Sequence, residues 1–288
     1  MCRAPCSGAP ERLPSMPSYR GHLDKMPTAL ADPVNYWLAL DETRLPLNEL
    51  LGESLRIRHA GAIHCCHCGR VTRKSFSEGY CYPCFRKLAE CDLCVLSPER
   101  CHFAAGTCRD PQWAADFCMN EHLVYLANSS GVKVGITRAG QVPTRWIDQG
   151  ASQALPILRT QTRQQAGLVE AALRRLVRDT TDWRAMLRGV APEVDLGVER
   201  DRLLADCADA LNELSERFGL QAIQPFMADS LCIDYPVREY PTKVQAWNLD
   251  KTPEVHGRLL GIKGQYLILD TGVFNVRKFT AYEVVVDL

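Results

Sequence analysis

The chain has 288 residues, of which 46% are hydrophobic and 24% charged, and its formal net charge is zero. These values are typical of a globular protein with two or three small domains, and they exclude a partner selected by overall charge alone. No apolar run reaches the roughly 18 residues of a membrane span, and the N-terminus lacks the apolar stretch of a secretory signal. We therefore expect a cytoplasmic protein without a membrane partner.

The first 63 residues divide into two parts. Residues 1–20 are rich in Pro, Ser and Gly and show no hydrophobic period, which predicts a disordered extension in which Cys2 and Cys6 are incidental. The runs VNYWLAL and SLRIRHAGAI that follow are typical of β-strands, because apolar residues alternate with polar ones in the second run. We predict an N-terminal β segment over residues 21–63.

Ten of the fourteen cysteines are concentrated in a Cys-rich segment, which we place at residues 64–122. Without export, such a cluster binds metal more often than it forms disulfides. Cys65-x2-Cys68 and Cys81-x2-Cys84 each form a tight turn that points two thiolates at one ion. We predict one structural zinc ion bound by these four thiolates. Three neighbouring donors stay outside its shell: His64, Cys66 and His67.

A second group of donors follows in the same segment and exceeds one tetrahedral shell. Two ions with a bridging thiolate, one ion with spare donors and an iron–sulfur cluster all agree with this number. We favour a single zinc ion that uses Cys91 and Cys94, so that the chain would hold one or two zinc ions and at most three. Cys118 and His122 are four residues apart and would share one face of a helix. The other candidate ligands are Cys101, His102 and Cys108.

Residues 123–190 predict a small antiparallel sheet with helices. VYLANSSGVKVGITR has two apolar runs around Asn-Ser-Ser-Gly, which is typical of a β-hairpin. A short helix beginning near Pro143 and a third strand, ALPILRTQT, come next. QQAGLVEAALRRLVRD predicts an amphipathic helix, and TDWRAMLRG a shorter one. The amphipathic helix would bury a face formed by Leu168, Ala171, Ala172 and Leu176.

The C-terminal part has a helical and a β region. Residues 191–240 predict a helical linker region, mainly one helix across ERDRLLADCADALNELSERFG that ends at Gly219. Residues 241–288 contain β-branched and aromatic runs broken by glycines, which predict a small barrel of about five strands. The expected fold class is α+β: a zinc-ribbon-like Cys-rich segment, a small antiparallel sheet with helices and a C-terminal small β-barrel.

The segment HLVYLANSSGVKVGITRAGQVPTRWIDQGA, residues 122–151, resembles the start of a GIY-YIG nuclease domain. LVY at 123–125 stands at the first motif and KVG at 133–135 at the second. Arg145 and Glu170 fall on the helices that carry the family's arginine and glutamate. The first glycine and the second tyrosine of the family motifs are replaced here by leucine and lysine.

This resemblance implies a site for phosphodiester hydrolysis. Tyr125 would orient or deprotonate water, Arg145 would contact the scissile phosphate, and Glu170 would hold one Mg²⁺ or Mn²⁺ ion. Lys133 would supply positive charge or, if desolvated, act as a base. Each candidate also has a plain structural alternative: a core tyrosine, a solvated arginine, and a Glu170 that forms an i,i+4 ion pair with Arg174.

The charges around this core suggest a polyanionic partner. From Lys133 to Arg188 the sequence has ten Lys/Arg and four Asp/Glu, whereas from Gly189 to Tyr240 it has four and eleven. Arginine suits bidentate phosphate contacts, so nucleic acid, either DNA or RNA, is the expected partner. The residues expected to bind it are Arg138, Arg159, Arg163, Arg174 and Arg175.

From residue 21 onward the chain also resembles a bacterial domain family of unknown function, through stretches such as KSFSEGYCYPCF and GIKGQYLILDTG. The resemblance implies that the zinc segment, the GIY-YIG-like core and the C-terminal β domain form one unit, and it implies no activity. Three functions stay open: a metal-dependent phosphodiesterase, a nucleic-acid-binding module on an inactive scaffold, and a zinc-stabilised protein-interaction scaffold. Nothing in the sequence indicates an oligomeric state.

Overall fold

A computed structural model describes residues 17–288, which form a mixed α+β fold with several antiparallel sheets. Residues 1–16, with Cys2 and Cys6 and most of the predicted disordered extension, lie outside the described residues, whereas the end of that extension enters a strand at Ser18. The strands are β1 (Ser18–His22), β2 (Thr28–Ala29), β3 (Asn35–Leu40), β4 (Thr43–Pro46), β5 (Ser54–His64), β6 (Val71–Thr72), β7 (His122–Asn128), β8 (Val132–Arg138), β9 (Gln153–Thr160), β10 (Ile223–Pro225), β11 (Leu231–Cys232), β12 (Glu254–Lys263), β13 (Tyr266–Leu269), β14 (Gly272–Asn275) and β15 (Tyr282–Asp287). The helices are α1 (Tyr82–Lys87), α2 (Leu93–Leu96), α3 (Pro111–Phe117), α4 (Thr144–Asp148), α5 (Arg163–Leu173), α6 (Trp183–Leu187), α7 (Leu196–Asp206) and α8 (Ala208–Phe218).

The largest sheet combines strands from the predicted N-terminal and C-terminal β regions. Its order is β1-β15-β5-β12-β13-β14, with β6 also beside β5. β5 lies between β12 and β15, and its alternation fits this place, since Leu55 and Ile57 face the core while Arg56 and Arg58 reach solvent. The division of the chain at residues 63 and 241 therefore separates strands that belong to one sheet.

The strands of the C-terminal region do not form the expected barrel. Residues 241–288 contribute four strands, and VQAWNL joins them only through an isolated bridge between Ala246 and Val273. Four strands are too few to close on themselves, so they extend β5 and β1 instead. Among residues 17–288 the sheets are all open.

The second sheet has the order β10-β9-β7-β8, with β11 also paired to β9, and it contains the predicted hairpin VYLANSSGVKVGITR. β7 is buried along its whole length because both of its faces are covered. Val124 and Leu126 pack against α5 and α7 on one face. Tyr125 and Ala127 point to the other face, where Trp146 of α4 links them to the core of the largest sheet.

α5 is shorter than predicted and buries a different face. It ends at Leu173 because the following residues return to β8, where the amide of Val134 donates to the carbonyl oxygen of Arg178 at 2.8 Å. Val169 and Leu173 are fully buried, whereas Leu176 is 45% exposed. The predicted face is therefore wrong by about one residue position around the helix axis.

Two helices replace the single long helix that the acidic region predicts. α7 and α8 meet at the buried Cys207, whose backbone leaves the helical conformation. Gly219 follows α8 as expected and has a φ of 91°. Within residues 17–288, no helix is both long enough and apolar enough to cross a membrane.

Candidate functional site

The four thiols of the first two cysteine pairs lie together. The sulfur atoms of Cys65, Cys68, Cys81 and Cys84 are all within 4.8 Å of one another, and Sγ of Cys68 is 3.7 Å from Sγ of Cys81. A tetrahedral ion with Zn–S bonds of about 2.3 Å holds its sulfur ligands at a similar spacing. These four thiols could therefore hold a metal ion such as zinc.

The backbone shapes each pair for this purpose. Gly69 has a φ of 67°, which favours glycine, and its amide donates to the carbonyl oxygen of Cys65 at 2.8 Å. The second pair begins α1, where the amide of Phe85 donates to the carbonyl oxygen of Cys81 at 2.9 Å. Burial raises the pKa of the Cys65 thiol, but hydrogen bonds from nearby backbone amides, led by that of Cys81, outweigh burial and lower it to about 6. Cys65 thus favours at neutral pH the thiolate form that a metal requires, whereas burial and hydrogen bonds with the other three thiols raise the pKa of Cys84.

The second group of donors is arranged differently from the prediction. Ligand atoms of Asp92, Cys94 and His102 lie within 4.8 Å of one another. Cys91, the expected partner of Cys94, is buried near the first cluster. Burial is the main cause that raises the pKa of Cys91, and the charges of Glu90 and Cys65 raise it further. Burial, Asp92 and neighbouring thiols raise the pKa of Cys94 to about 11. Those thiols are Cys101, Cys118 and Cys108.

Cys118 and His122 do not share a helical face, since Cys118 ends α3 and His122 begins β7. His122 is fully buried, and its Nδ1 donates to the carbonyl oxygen of Asn120 at 2.9 Å. Burial lowers the pKa of His122 to about 4, so the ring is neutral at pH 7. Its Nε2 has no hydrogen-bond partner within residues 17–288.

Tyr125 lies on the central strand of the second sheet, opposite Gly135 of β8. A Cβ atom at Gly135 would lie 2.6 Å from the Tyr125 hydroxyl oxygen, so the glycine leaves space for the phenol across the hairpin. The hydroxyl donates to Oε1 of Gln149 at 2.9 Å, and the ring meets Trp146 edge-on with centroids 5.9 Å apart. Tyr125 is fully buried, and burial raises the pKa of its phenol, which stays protonated at neutral pH.

Lys133 is almost entirely removed from solvent, with only 3% of its surface exposed. Burial lowers its pKa to about 8, with the charge of Arg145 acting in the same direction and that of Glu170 against it. The same two charges act on the pKa of Tyr125. The four residues that the resemblance selects therefore occupy one neighbourhood between β7, β8, α4 and α5.

Glu170 is presented by α5, whose first turn is fixed by a capping box between Thr162 and Gln165. Its carboxyl is partly buried, and burial raises its pKa to about 7, with Asp179 adding to the rise and nearby arginines opposing it. The structural alternative, an ion pair between Glu170 and Arg174, is not formed: the Arg174 guanidinium pairs with Asp179 at 3.2 Å. Glu170 is thus a partly buried carboxyl beside a second carboxyl.

The predicted phosphate-binding arginines differ in how free their side chains are. The Arg163 guanidinium donates to the carbonyl oxygen of Val95 at 2.7 Å, which ties α5 to the Cys-rich segment. Arg138 lies over the ring of Phe117, 4.3 Å from its centroid. The more exposed members of the set are Arg159, Arg174 and Arg175.

Two polar residues of this neighbourhood, Gln149 and Asp179, are absent from the sequence prediction. Gln149 accepts the hydrogen bond of Tyr125, and it follows α4 at a position that no motif marks. Asp179 acts on the pKa of Glu170. Its one sequence signal is that it is among only four acidic residues between Lys133 and Arg188.

Comparison with known proteins places the chain in a family. A family model described as a protein of unknown function (DUF2797) matches residues 52–284, which is most of the chain, so the chain belongs to this family. No curated protein and no solved structure matches it.

Proposed function

We propose that this DUF2797 protein binds nucleic acid through its GIY-YIG-like core and hydrolyses phosphodiesters there with a divalent metal ion. The observation that carries the proposal is the neighbourhood of Tyr125, Lys133, Arg145 and Glu170. These residues come from β7, β8, α4 and α5, in the order that the family resemblance implies, with β9 between the two helices. Their charges act on one another across buried protein, as in many catalytic sites.

The carboxylates of this neighbourhood suit a divalent cation. Asp179 is close enough to Glu170 to raise its pKa, and a cation beside the two carboxylates would relieve their repulsion. Mg²⁺ and Mn²⁺ prefer oxygen ligands, and one or two carboxylates are sufficient. When bound, the ion would polarise a phosphoryl oxygen and neutralise charge on the transferring group.

The other residues would divide the remaining work. Arg145 would hold the scissile phosphate through its guanidinium N–H groups. Lys133, with a pKa of about 8, is partly a free amine near neutral pH and would accept the proton of the attacking water. The water oxygen forms the new P–O bond, the bond to the leaving oxygen breaks, and solvent protonates that oxygen. Tyr125 stays protonated and would orient groups through its hydroxyl and Gln149 rather than act as a base.

Exposed arginines supply a surface on which a nucleic acid could lie. Arg159 on β9 and the pair Arg174 and Arg175 after α5 present guanidinium groups to solvent on elements that adjoin the neighbourhood. Phosphate contacts of this kind give salt-dependent affinity without sequence preference. The proposal leaves out Arg163, since its guanidinium is used inside the protein.

The metal in the four-thiol cluster is proposed to be zinc with a structural role. Four thiolates complete its coordination, so no position remains for water or substrate. A zinc ion there would fold the Cys-rich segment, which Arg163 and the backbone of Cys118 connect to the first turn of α5. A second ion at Cys94 is proposed as well, with Asp92 and His102 as the nearest further donors.

A second candidate function is nucleic-acid binding without cleavage. The observation in its favour is the burial of two motif residues: Tyr125 in the first motif, and Lys133, which replaces the tyrosine of the second. Tyr125 is fully buried with its hydroxyl bonded to Gln149, and Lys133 is 3% exposed. A site in which these groups serve packing would bind phosphates only through its exposed arginines.

Cleavage assays on the full chain test the first candidate, with plasmid DNA and labelled single-stranded DNA and RNA in Mg²⁺ or Mn²⁺. We expect cleavage that Glu170→Gln and Arg145→Ala each reduce by about 100-fold or more, because each removes a group that acts on the transferring phosphate. Glu213→Gln, which changes an exposed carboxyl on α8, serves as the matched control and should leave the rate unchanged.

Binding assays separate the two candidates. Affinity that falls steeply with salt, without cleavage in either metal, supports the second candidate. Absence of binding at low salt contradicts both. Circular dichroism and zinc content that match the unaltered protein show that each variant is folded.

A further inference from the structure

Three neighbouring strands of the largest sheet bring together potential metal ligands that are not part of the neighbourhood of Tyr125. His22 ends β1 and pairs across the sheet with Glu283 of β15, while His64 ends the adjacent strand β5. One donor atom from each of the three residues lies within 4.8 Å of the other two. None of them belongs to the four-thiol cluster, although His64 directly precedes Cys65.

Asp41 holds the ring of His22 in a fixed orientation. Its Oδ1 is 2.8 Å from Nδ1 of His22, and its Oδ2 accepts the backbone amide of the same residue at 3.1 Å. Asp41 takes the left-handed conformation with a φ of 50°, which is uncommon for a residue other than glycine. Gly21 leaves room for the carboxylate, since a Cβ there would lie 2.7 Å from Oδ2.

This arrangement selects which nitrogen of His22 carries a proton. A carboxylate only accepts, so Nδ1 of His22 carries the proton and Nε2 presents its lone pair. Histidines that ligate metals commonly donate their other ring N–H to a carboxylate in this way, which fixes the tautomer and raises the basicity of the ligating nitrogen. Nε2 of His22 points toward His64, whose Nδ1 is 2.8 Å away.

The space beside these donors is open. A cavity of about 350 Å³ is lined by His22, His64, Asp41 and Cys66, among others. Oε1 of Glu283 forms an ion pair at 2.8 Å with Arg20, whose side chain is 66% exposed. Because the arginine side chain is largely in solvent, a cation could displace its guanidinium from Glu283.

We propose that His22, His64 and Glu283 bind one divalent transition-metal ion of the Zn²⁺ class, with Asp41 as the group that orients His22. Two imidazoles and a carboxylate suit zinc and its neighbours in the first transition row. Three protein ligands leave a coordination position that opens into the cavity, in contrast to the closed four-thiol cluster. The ion would replace the hydrogen bond between the two imidazole rings. This inference is independent of the proposed function.

Titration of the full chain with Co²⁺ tests the proposal, after two equivalents of Zn²⁺ have been added to fill the four-thiol cluster and the second proposed site at Cys94. We expect one Co²⁺ ion with weak d–d absorption and no thiolate-to-cobalt charge transfer, because the ligands are nitrogen and oxygen. Asp41→Asn should weaken binding by about 10–100-fold, and His22→Ala by a larger factor. His256→Ala, which removes an exposed histidine of β12, is the matched control and should leave the affinity unchanged.

A second measurement does not depend on the folding of a variant. Paramagnetic Co²⁺ should broaden the imidazole NMR signals of His22 and His64 before those of His256 and His102. The proposal is overturned if the unaltered protein binds no such ion, if His256 or His102 broadens first, or if His22→Ala binds Co²⁺ as tightly as the unaltered protein. Charge-transfer bands would place the ion on cysteines and would equally overturn it.

Discussion

Residues 64–84 and strand β7 differ in what fills their interior. Within residues 64–84, all of which the structure describes, the buried side chains are the two thiols of Cys65 and Cys81. All seven residues of β7 are buried, and both faces of the strand pack against apolar side chains. A segment that buries so little apolar surface cannot offset its own conformational entropy, whereas the strand can. Hydrophobic packing thus holds β7, and the contrast supports the proposal that metal ligation holds residues 64–84.

Removal of the metal should separate the two regions most strongly. Chelation, or Cys81→Ser, is expected to unfold residues 64–84 while β7 stays folded, because metal binding in such segments is itself the folding free energy, about 10–16 kcal/mol in small zinc peptides. Hydrogen exchange should show lost protection over residues 64–84 only. Cys232→Ser, at an exposed cysteine, is the control. Equal loss of protection in β7 would contradict the comparison.

A smaller effect is expected from the partly buried carboxyl of Glu170, on the helix α5 that packs against β7. The Glu170 carboxyl has a pKa of about 7 in the folded protein against an ordinary value of 4.5, so the folded state binds this proton more tightly. The free energy of unfolding should therefore fall as pH rises from about 4.5 to about 7, by up to about 3 kcal/mol. Urea denaturation across this range measures it.

Glu170→Gln isolates this contribution, because groups on which the charge of Glu170 does not act titrate identically in both proteins. His122, for example, has a lowered pKa and acts with the opposite sign, since its stabilising contribution grows as pH rises from about 4 to 6.5. The difference between the unaltered protein and Glu170→Gln should lose its slope above pH 7. An identical pH dependence in the two proteins would exclude a raised pKa at Glu170.

The smallest expected effect tests how closely the second region is packed. Gly135→Ala should cost about 1–3 kcal/mol, because its Cβ would lie 2.6 Å from the Tyr125 hydroxyl oxygen and the phenol cannot move into solvent. Gly140→Ala is the matched control, since nothing lies within 4 Å of a Cβ there. Thermal denaturation compares the two. Equal midpoint temperatures in the two variants would mean that the Tyr125 side chain moves to accommodate the new methyl group, and that β7 is loosely packed.

Local patterns predicted local structure well. The hairpin of β7 and β8, the strand β9 and the grouping of the four thiols around Cys65 all depend on residues close in sequence, whose spacing is visible. The C-terminal end of α5 was predicted wrongly because a contact with β8 ends the helix, and helix propensity does not reflect tertiary contacts. The face of α5 moved for the same reason.

Long-range pairing could not be read from the sequence. β5 and β12 are separated by most of the chain, so nothing in either strand indicates that they pair with each other rather than within a C-terminal barrel. The contact between His22 and His64, 42 positions apart, depends on β15 lying between their strands. The sequence around a single histidine at the end of a strand does not indicate which residue it will contact.

The pairing of β1 with β15 has a consequence for the order in which the protein can fold during synthesis. Ser18 pairs with Asp287, and β5 needs both β12 and β15 as neighbours, so the ribosome makes β1 and β5 long before their partners. β7, β8 and β9 emerge together and can pair at once. The nascent chain therefore carries most of β5 with two unpaired edges, since only Ile63 and His64 pair with the neighbouring β6, and such edges recruit other strands unless they are covered. Arg56 and Arg58, at alternate positions of β5, give the strand a charged face before its partners are made.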